Sequence, residues 1–249
     1  MPDVPHVAVF DTTFHATIPE EVAAYAVPRR WAEEWGVRRH GFHGLSVQWA
    51  AERVAAERLV VCHLGGGCSV TAVRDGRSVD TSMGFSPLDG VPMATRSGAL
   101  DPEIVLYLLR TGRLGLEEID RALEHESGLL GLSGISGDVQ ELERSREPEA
   151  AFALEVFVYR VAAAVAAMTT SLGGLDALVF TGGVGENSSL VRARVCERLG
   201  FLGIELEAAA NAGAAPDADI ATEGSAVRVQ VVHAREDVVA AWGARRLLR

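Results

Sequence analysis

Two glycine clusters in this 249-residue chain each follow an apolar run. One is "HLGGG" (His63, Leu64, Gly65, Gly66, Gly67); the other is "TGGVGENS", with Gly183, Val184, Gly185, Glu186 and Asn187. Without a Cβ, a loop lets its backbone N–H groups approach a phosphate closely. The second cluster also opens a helical pattern, and a helix N-terminus favours an anion. Either cluster alone is as readily an ordinary turn. Two of them together, in a chain with no lysine, point to a nucleotide held by backbone amides. "RRHGFHG" (Arg38 to Gly44) presents His40 and His43 from a glycine-bounded turn. Arg96 is the one cation in the polar, Gly- and Pro-rich stretch "DTSMGFSPLDGVPMATRSG". A guanidinium there could stabilise charge on a phosphoryl group in flight. "HARED" ends a strand pattern and starts a helix at Glu236, which could cap that helix or bind Mg²⁺. On the residues alone, the cap is the simpler reading. Finally "VAVF" (Val7 to Phe10) runs into Asp11, and a strand ending in an acid is a common active-site floor.

These residues need elements to hold them. Residues 58 to 85 predict three strands in an antiparallel meander, with "RDGR" as a hairpin turn. Asp101-Pro102-Glu103 predicts an N-cap, a proline at the first helical position and an early acid, with the helix running to about Thr111. "GLEEIDRALEHES" predicts a second helix. A long third one runs from about Glu149 to Leu172 and stops at Gly173-Gly174. "DALVF", the glycine cluster and the residues after it read as strand, glycine turn, helix. "AVRVQVV" is a later strand and "REDVVAAWGARRLLR" a final helix. Residues 207 to 225 are poor in large apolar side chains and read as partly loop. A meander followed by helix–strand units predicts an α/β fold with a mixed sheet flanked by helices. The glycine clusters do not follow the first strand of a parallel unit, as a Rossmann domain requires.

Composition removes several alternatives. The net charge of −11 argues against a nucleic-acid partner, whose phosphates need clustered cations. All 23 cationic residues are arginine, which excludes a P-loop, a protein-kinase strand lysine and Schiff-base chemistry. Cys62, Cys68 and Cys196 have neither metal-ligand spacing nor a disulfide pattern, as expected of reduced thiols in a cytoplasmic protein. No signal-peptide pattern precedes the first strand. The longest uncharged apolar run, Val161 to Leu175, has 15 residues. That is short of the roughly 18 needed to span a membrane, so a buried core helix is expected and no membrane partner.

The segments "VAVFDTTFHATIP", "RRHGFHG", "VDTSMGFSPLDGVPMATRSG", "SGLLGLSGISGD", "VFTGGVGENS" and "AREDVVAAWGARR" occur here in that order. Together they resemble the acetate kinase family, which includes propionate and butyrate kinases. The resemblance covers roughly the last three fifths of the family's usual chain. It implies the ribonuclease-H-like, actin-like ATPase fold of the acetate and sugar kinase, heat-shock cognate and actin superfamily. It also implies a division of the chain: residues 1–12 as the last strand of a largely missing first domain, 13–235 as the nucleotide-binding domain, and 236–249 as a helix returning to the first.

The implied activity is Mg²⁺- or Mn²⁺-dependent phosphoryl transfer between ATP/ADP and a short-chain carboxylate. Asp11 matches the family's catalytic aspartate near the metal, His43 and Arg96 its two transition-state stabilisers, and Glu236 its metal-binding glutamate. The nucleotide site matches His63 to Gly67, Asp138, Val139 and Gln140, and Gly183 to Asn187. The resemblance further implies a homodimer, and it leaves open a non-catalytic nucleotide-binding remnant or one subunit of a split kinase. Departures lie mainly on the nucleotide side. Gly66 stands where the family has asparagine, and Asp138-Val139-Gln140 lacks the family's arginine. Ala94, Ala99 and Val47 also differ from its pattern.

Overall fold

The computed structural model describes residues 4–248. Six strands form one sheet: β1 (Arg58–Leu64), β2 (Cys68–Arg74), β3 (Arg77–Thr81), β4 (Ala177–Thr181), β5 (Ala218–Asp219) and β6 (Arg228–Val231). Their order is β3-β2-β1-β4-β6-β5. β1, β4 and β6 run parallel, while β2, β3 and β5 add antiparallel edges. The expected meander and mixed α/β sheet are therefore present. The β2–β3 turn is Asp75-Gly76, with φ of 49° and 74°. Two successive left-handed residues match the strand twist, which explains an Asp-Gly pair here. β4 is buried along its whole length, as a strand covered on both faces must be.

The helices are α1 (Glu20–Ala23), α2 (Arg29–Trp35), α3 (Gly44–Arg53), α4 (Pro102–Arg110), α5 (Leu116–His125), α6 (Gly128–Ser133), α7 (Val139–Arg144), α8 (Pro148–Leu172), α9 (Gly182–Asn187), α10 (Ser189–Arg198), α11 (Ala208–Ala212) and α12 (Glu236–Leu247). α8 begins with a proline at its first position and ends at Gly173 in the left-handed conformation. By length and composition it could cross a membrane. Here its Ala150, Ala153, Phe157, Val161 and Val165 face are buried in the larger core, against one side of the sheet. The smaller core lies on the opposite side, where Val47 and Ala50 of α3, with Val54 just after it, cover Leu59, Val61 and Val179. α12 packs on α3, with the Trp49 and Trp242 rings 5.7 Å apart.

Two local structures differ from the sequence expectation. Val7 to Phe10 forms no strand among the described residues, and Phe10 is exposed. The sheet edges are β3 and β5, so no strand lies beside this segment to supply a ladder. α9 starts directly after β4, so the glycine cluster is the first helical turn rather than a loop before it. The stretch 207–225 is partly loop, as expected, with α11 and the two-residue edge strand β5 set into it.

Candidate active site

β1 and β4 are parallel neighbours, with His63 opposite Thr181, so the segments that follow them leave the sheet side by side. Gly182 has φ of 79°, and a methyl group on it would lie 2.7 Å from the Leu64 carbonyl oxygen. Only glycine lets the two segments approach so closely. Between them opens a cavity of about 490 Å³, lined by Gly65, Gly66, Ala94, Gly137, Asp138, Val139, Gln140, Gly183, Val184, Asn187 and Ser188. Four distant stretches of sequence thus meet in one glycine-walled pocket. Asp138 is the N-cap of α7 and accepts from the Gln140 N–H at 2.7 Å.

Not every residue assigned to this pocket faces it. Leu64 is fully buried in the core, and Gly185 packs on the Phe180 backbone. Glu186 turns the other way. Its Oε1 accepts from the Gly182 N–H (3.1 Å) and the Ala234 N–H (3.0 Å), and its Oε2 meets His233 Nδ1 at 2.6 Å. None of these three is among the residues lining the cavity. Glu186 ties the segment after β4 to the connection leading into α12.

His63 and Gly67 sit at the edge of the cavity, beside the catalytic candidates. His43 is the residue before α3 and holds φ of 58°. Its backbone N–H donates to Asp11 Oδ2 at 2.5 Å, and the Leu45 N–H donates to Asp11 Oδ1 at 3.3 Å. Asp11 therefore binds the free amides at the start of α3, where a helix favours negative charge. The Gly44 N–H donates to the Asp11 backbone carbonyl oxygen at 2.9 Å, and a methyl on Gly44 would lie 2.1 Å from that oxygen. The His43 ring stacks on His63 with centroids 4.2 Å apart. A methyl on Gly67 would lie 3.2 Å from His43 Nε2 and 3.8 Å from Arg96 Nη1, so both donors converge on one spot. Arg96 donates from Nε to Glu124 Oε2 at 2.8 Å, which leaves its Nη edge free.

Burial sets the charges. It holds His43 below the usual histidine range, against the pull of nearby Asp11, while His15 and Arg96 push it lower still. Burial, and then His43, brings His63 down to about 3. Both rings are neutral at pH 7, so positive charge at the centre comes from Arg96. Glu236, the first residue of α12, is pushed up by burial and by Asp11. The two carboxylates thus lie close enough to interact. Among the described residues no group of three or more His, Cys, Asp or Glu gathers as a metal cluster. Asp11 and Glu236 nevertheless offer two hard oxygen donors of the kind a divalent cation such as Mg²⁺ takes alongside waters. Burial raises Cys68 and Cys196 to about 12, so neither is a nucleophile.

Several residues here escaped the sequence reading. Ser69 and Ser46 bond the histidine rings, and Glu124 holds Arg96. Nothing local marks them, since each meets its partner only through the fold. His40, singled out beside His43, lies elsewhere, with its ring against Phe85. His15 is structural, bonded to Ser78 Oγ and the Phe42 carbonyl oxygen, both at 2.9 Å.

Comparison with known proteins is consistent with this architecture. The Acetokinase family profile matches residues 1–242. The acetate kinase of Nostoc punctiforme is 49% identical over 246 residues, covering 94% of this chain and 60% of that protein. The acetate kinase of Protochlamydia amoebophila is 45% identical over 244 residues, covering 95% and 61%. Among solved structures, Porphyromonas gingivalis acetate kinase superposes with a TM-score of 0.91 at 36% identity, over 97% of this chain and 63% of that one. A Francisella tularensis propionate kinase gives 0.91 at 38% identity, over 97% and 64%. The chain spans about three fifths of the length of the curated relatives it matches.

Proposed function

The chain belongs to the Acetokinase family, and on that premise we propose that it transfers the terminal phosphoryl group of ATP to a short-chain carboxylate, acetate or propionate, giving an acyl phosphate and ADP. One observation carries this reading. His43 Nε2 and Arg96 Nη1 converge over Gly67, at the edge of a glycine-walled cavity, and the His43 backbone N–H donates to the Asp11 carboxylate.

The chemistry follows from the charges. A carboxylate of ordinary pKa, near 4.3 for Glu, is already ionised at pH 7 and needs no general base. Asp11 is accordingly a holder rather than a proton acceptor, with both its oxygens engaged by backbone amides. Asp11 and Glu236 would hold Mg²⁺ or Mn²⁺, which supplies charge neutralisation on the phosphate oxygens. Arg96 and His43 donate to the equatorial oxygens as charge spreads over them. Losing one such donor typically raises the barrier by about 2.7–4 kcal/mol. The amides of Gly65, Gly66 and Gly183 line the pocket for the rest of the nucleotide.

The wider proposal places residues 13–235 as the nucleotide-binding domain, with 1–12 and 236–249 belonging to a first domain. The relatives' additional length is where we place the remaining phosphate and carboxylate contacts, so this chain alone is expected to turn over slowly. A cytoplasmic homodimer fits the free buried cysteines and the bare apolar face of α4, none of whose residues is buried.

The test is hydroxamate-trapped acyl phosphate from purified protein, ATP, Mg²⁺ and acetate or propionate. Turnover that Arg96→Ala abolishes, with ATP binding kept, supports the reading. ATP binding without any turnover, in this chain and in one extended to the relatives' length, would reduce it to a nucleotide-binding domain.

A further inference from the structure

Both stacked histidines point Nδ1 away from the cavity and onto a serine. His43 Nδ1 lies 3.0 Å from Ser69 Oγ, and His63 Nδ1 lies 2.8 Å from Ser46 Oγ. Neither serine has measurable exposure. Among the described residues, neither hydroxyl makes any other side-chain hydrogen bond. That makes the hydroxyl proton decisive. If Nδ1 carried the hydrogen, each serine oxygen would accept it, and the serine proton would be stranded in the core without an acceptor. If Nδ1 is bare, the serine donates to it and every group is paired. A buried donor without a partner is costly enough to bias the tautomer by about tenfold or more.

We propose that Ser69 and Ser46 are positioning residues that fix His43 and His63 in the Nε2–H tautomer, so that both rings aim a neutral N–H donor at the phosphate side of the cavity. The outward nitrogens are placed for this. A methyl on Gly67 would lie 3.2 Å from His43 Nε2, and one on Gly65 would lie 3.7 Å from His63 Nε2 and 3.9 Å from the Gly183 amide nitrogen. The opposite tautomer would turn a lone pair toward an oxygen already rich in electrons. The use of these donors rests on the phosphoryl-transfer reading above; the tautomers themselves do not.

Two-bond ¹H–¹⁵N correlation of ¹⁵N-histidine-labelled protein at pH 7.5 tests the assignment directly, with signals identified by loss in His43→Gln and His63→Gln. The expected pattern is a pyridine-type Nδ1 and a pyrrole-type Nε2 in both rings. An Nδ1–H pattern at His43 would overturn the proposal without any further variant. Ser69→Ala should leave His43 a mixture and His63 unchanged, Ser46→Ala the reverse, and Ser69→Thr should keep the native pattern. Unchanged tautomers in both alanine variants would also overturn it, since the serines would then not set them. In turnover, Ser69→Ala should lower kcat by about tenfold to a hundredfold with nucleotide KM within about twofold, and Ser69→Thr should restore it. A shifted tautomer with unchanged kcat would refute the aimed donor. Native tautomers with no acyl phosphate formed, by this chain or by one extended to the relatives' length, would sink the kinase reading and leave this assignment standing.

Discussion

Two neighbouring glycines should behave oppositely when each gains one methyl group. At Gly66 a methyl would meet nothing within 4 Å. At Gly67 it would lie 3.2 Å from His43 Nε2, 3.3 Å from His43 Cε1 and 3.8 Å from Arg96 Nη1. Neither position has the left-handed φ that would strain an alanine. Gly66→Ala should therefore keep the fold or gain about 0.4–1 kcal/mol from a stiffer unfolded chain. In Gly67→Ala the contact falls inside the optimum of about 3.5–4.0 Å, so the ring must yield. The methyl also fills the volume at which both donors point. Loss of one donor to a phosphoryl group costs about 2.7–4 kcal/mol, a hundredfold to a thousandfold in kcat. The assays are hydroxamate trapping for kcat, calorimetric titration with ADP for binding, and thermal unfolding for integrity. We expect Gly66→Ala to hold kcat within about threefold. Gly67→Ala should lose two to three decades of kcat while Tm and ADP affinity barely change. A Gly67→Ala protein with near-normal kcat would refute the convergence of His43 and Arg96 on the transferred group.

Three further outcomes follow from the same geometry. Glu124→Gln should leave stability almost unchanged, because a pair with side chains about a third exposed is worth only about 0–1 kcal/mol. It leaves the Arg96 Nε with only a neutral amide acceptor, however, so Arg96 is held less firmly and kcat should fall up to about tenfold and recover in Glu124→Asp. Acid should weaken the fold early. With His63 lowered to about 3 from an ordinary 6.5, the unfolded chain binds the proton first, so stability is complete above about 6.5 and drains as pH falls toward 3. Urea unfolding should show about 1 kcal/mol lost from this group between pH 7 and 5.5, and His63→Gln should flatten that slope. An equal slope in the variant would exclude His63 as its source. Light scattering should find a species heavier than the 26.5 kDa chain, because Ile104, Leu106, Tyr107 and Leu109 of α4 are exposed together. Tyr107→Glu should shift it toward the monomer; an unmodified chain that is monomeric at tens of micromolar would remove α4 as an interface.

Much of the fold is written locally. The Asp75-Gly76 turn announces β2 and β3, and Pro148 and Gly173 bracket α8, because turn and cap chemistry act over a few residues. Glycine clusters announce the pocket for the same reason. Facing is another matter. Gly183 and Glu186 are three residues apart in one motif, yet one lines the cavity and the other bonds the connection to α12. The residues that steer the chemistry are the least legible. Ser46, Ser69 and Glu124 lie 17, 26 and 28 residues from the groups they bond, and serine and glutamate are unremarkable in any sequence. Val7 to Phe10 differs in the opposite way, taking no strand form here. Its apolar run has strand composition, but composition cannot supply a neighbouring strand.

The parallel pairing of β1 with β4 has a kinetic consequence. β1 finds β2 and β3 across short turns, so the meander can form early. Joining β4 closes a loop of about 118 residues, the separation of the Arg58–Asp176 pair at the start of that ladder. Such closure must be completed before its contacts reward it. The pocket is walled by the segments that follow these two strands, with Ala94 and Gly137 to Gln140, so it is complete only once the strands have paired. Nucleotide should therefore leave the refolding rate alone and act only as a brake on the way out, lengthening the lifetime of a sheet that has already closed.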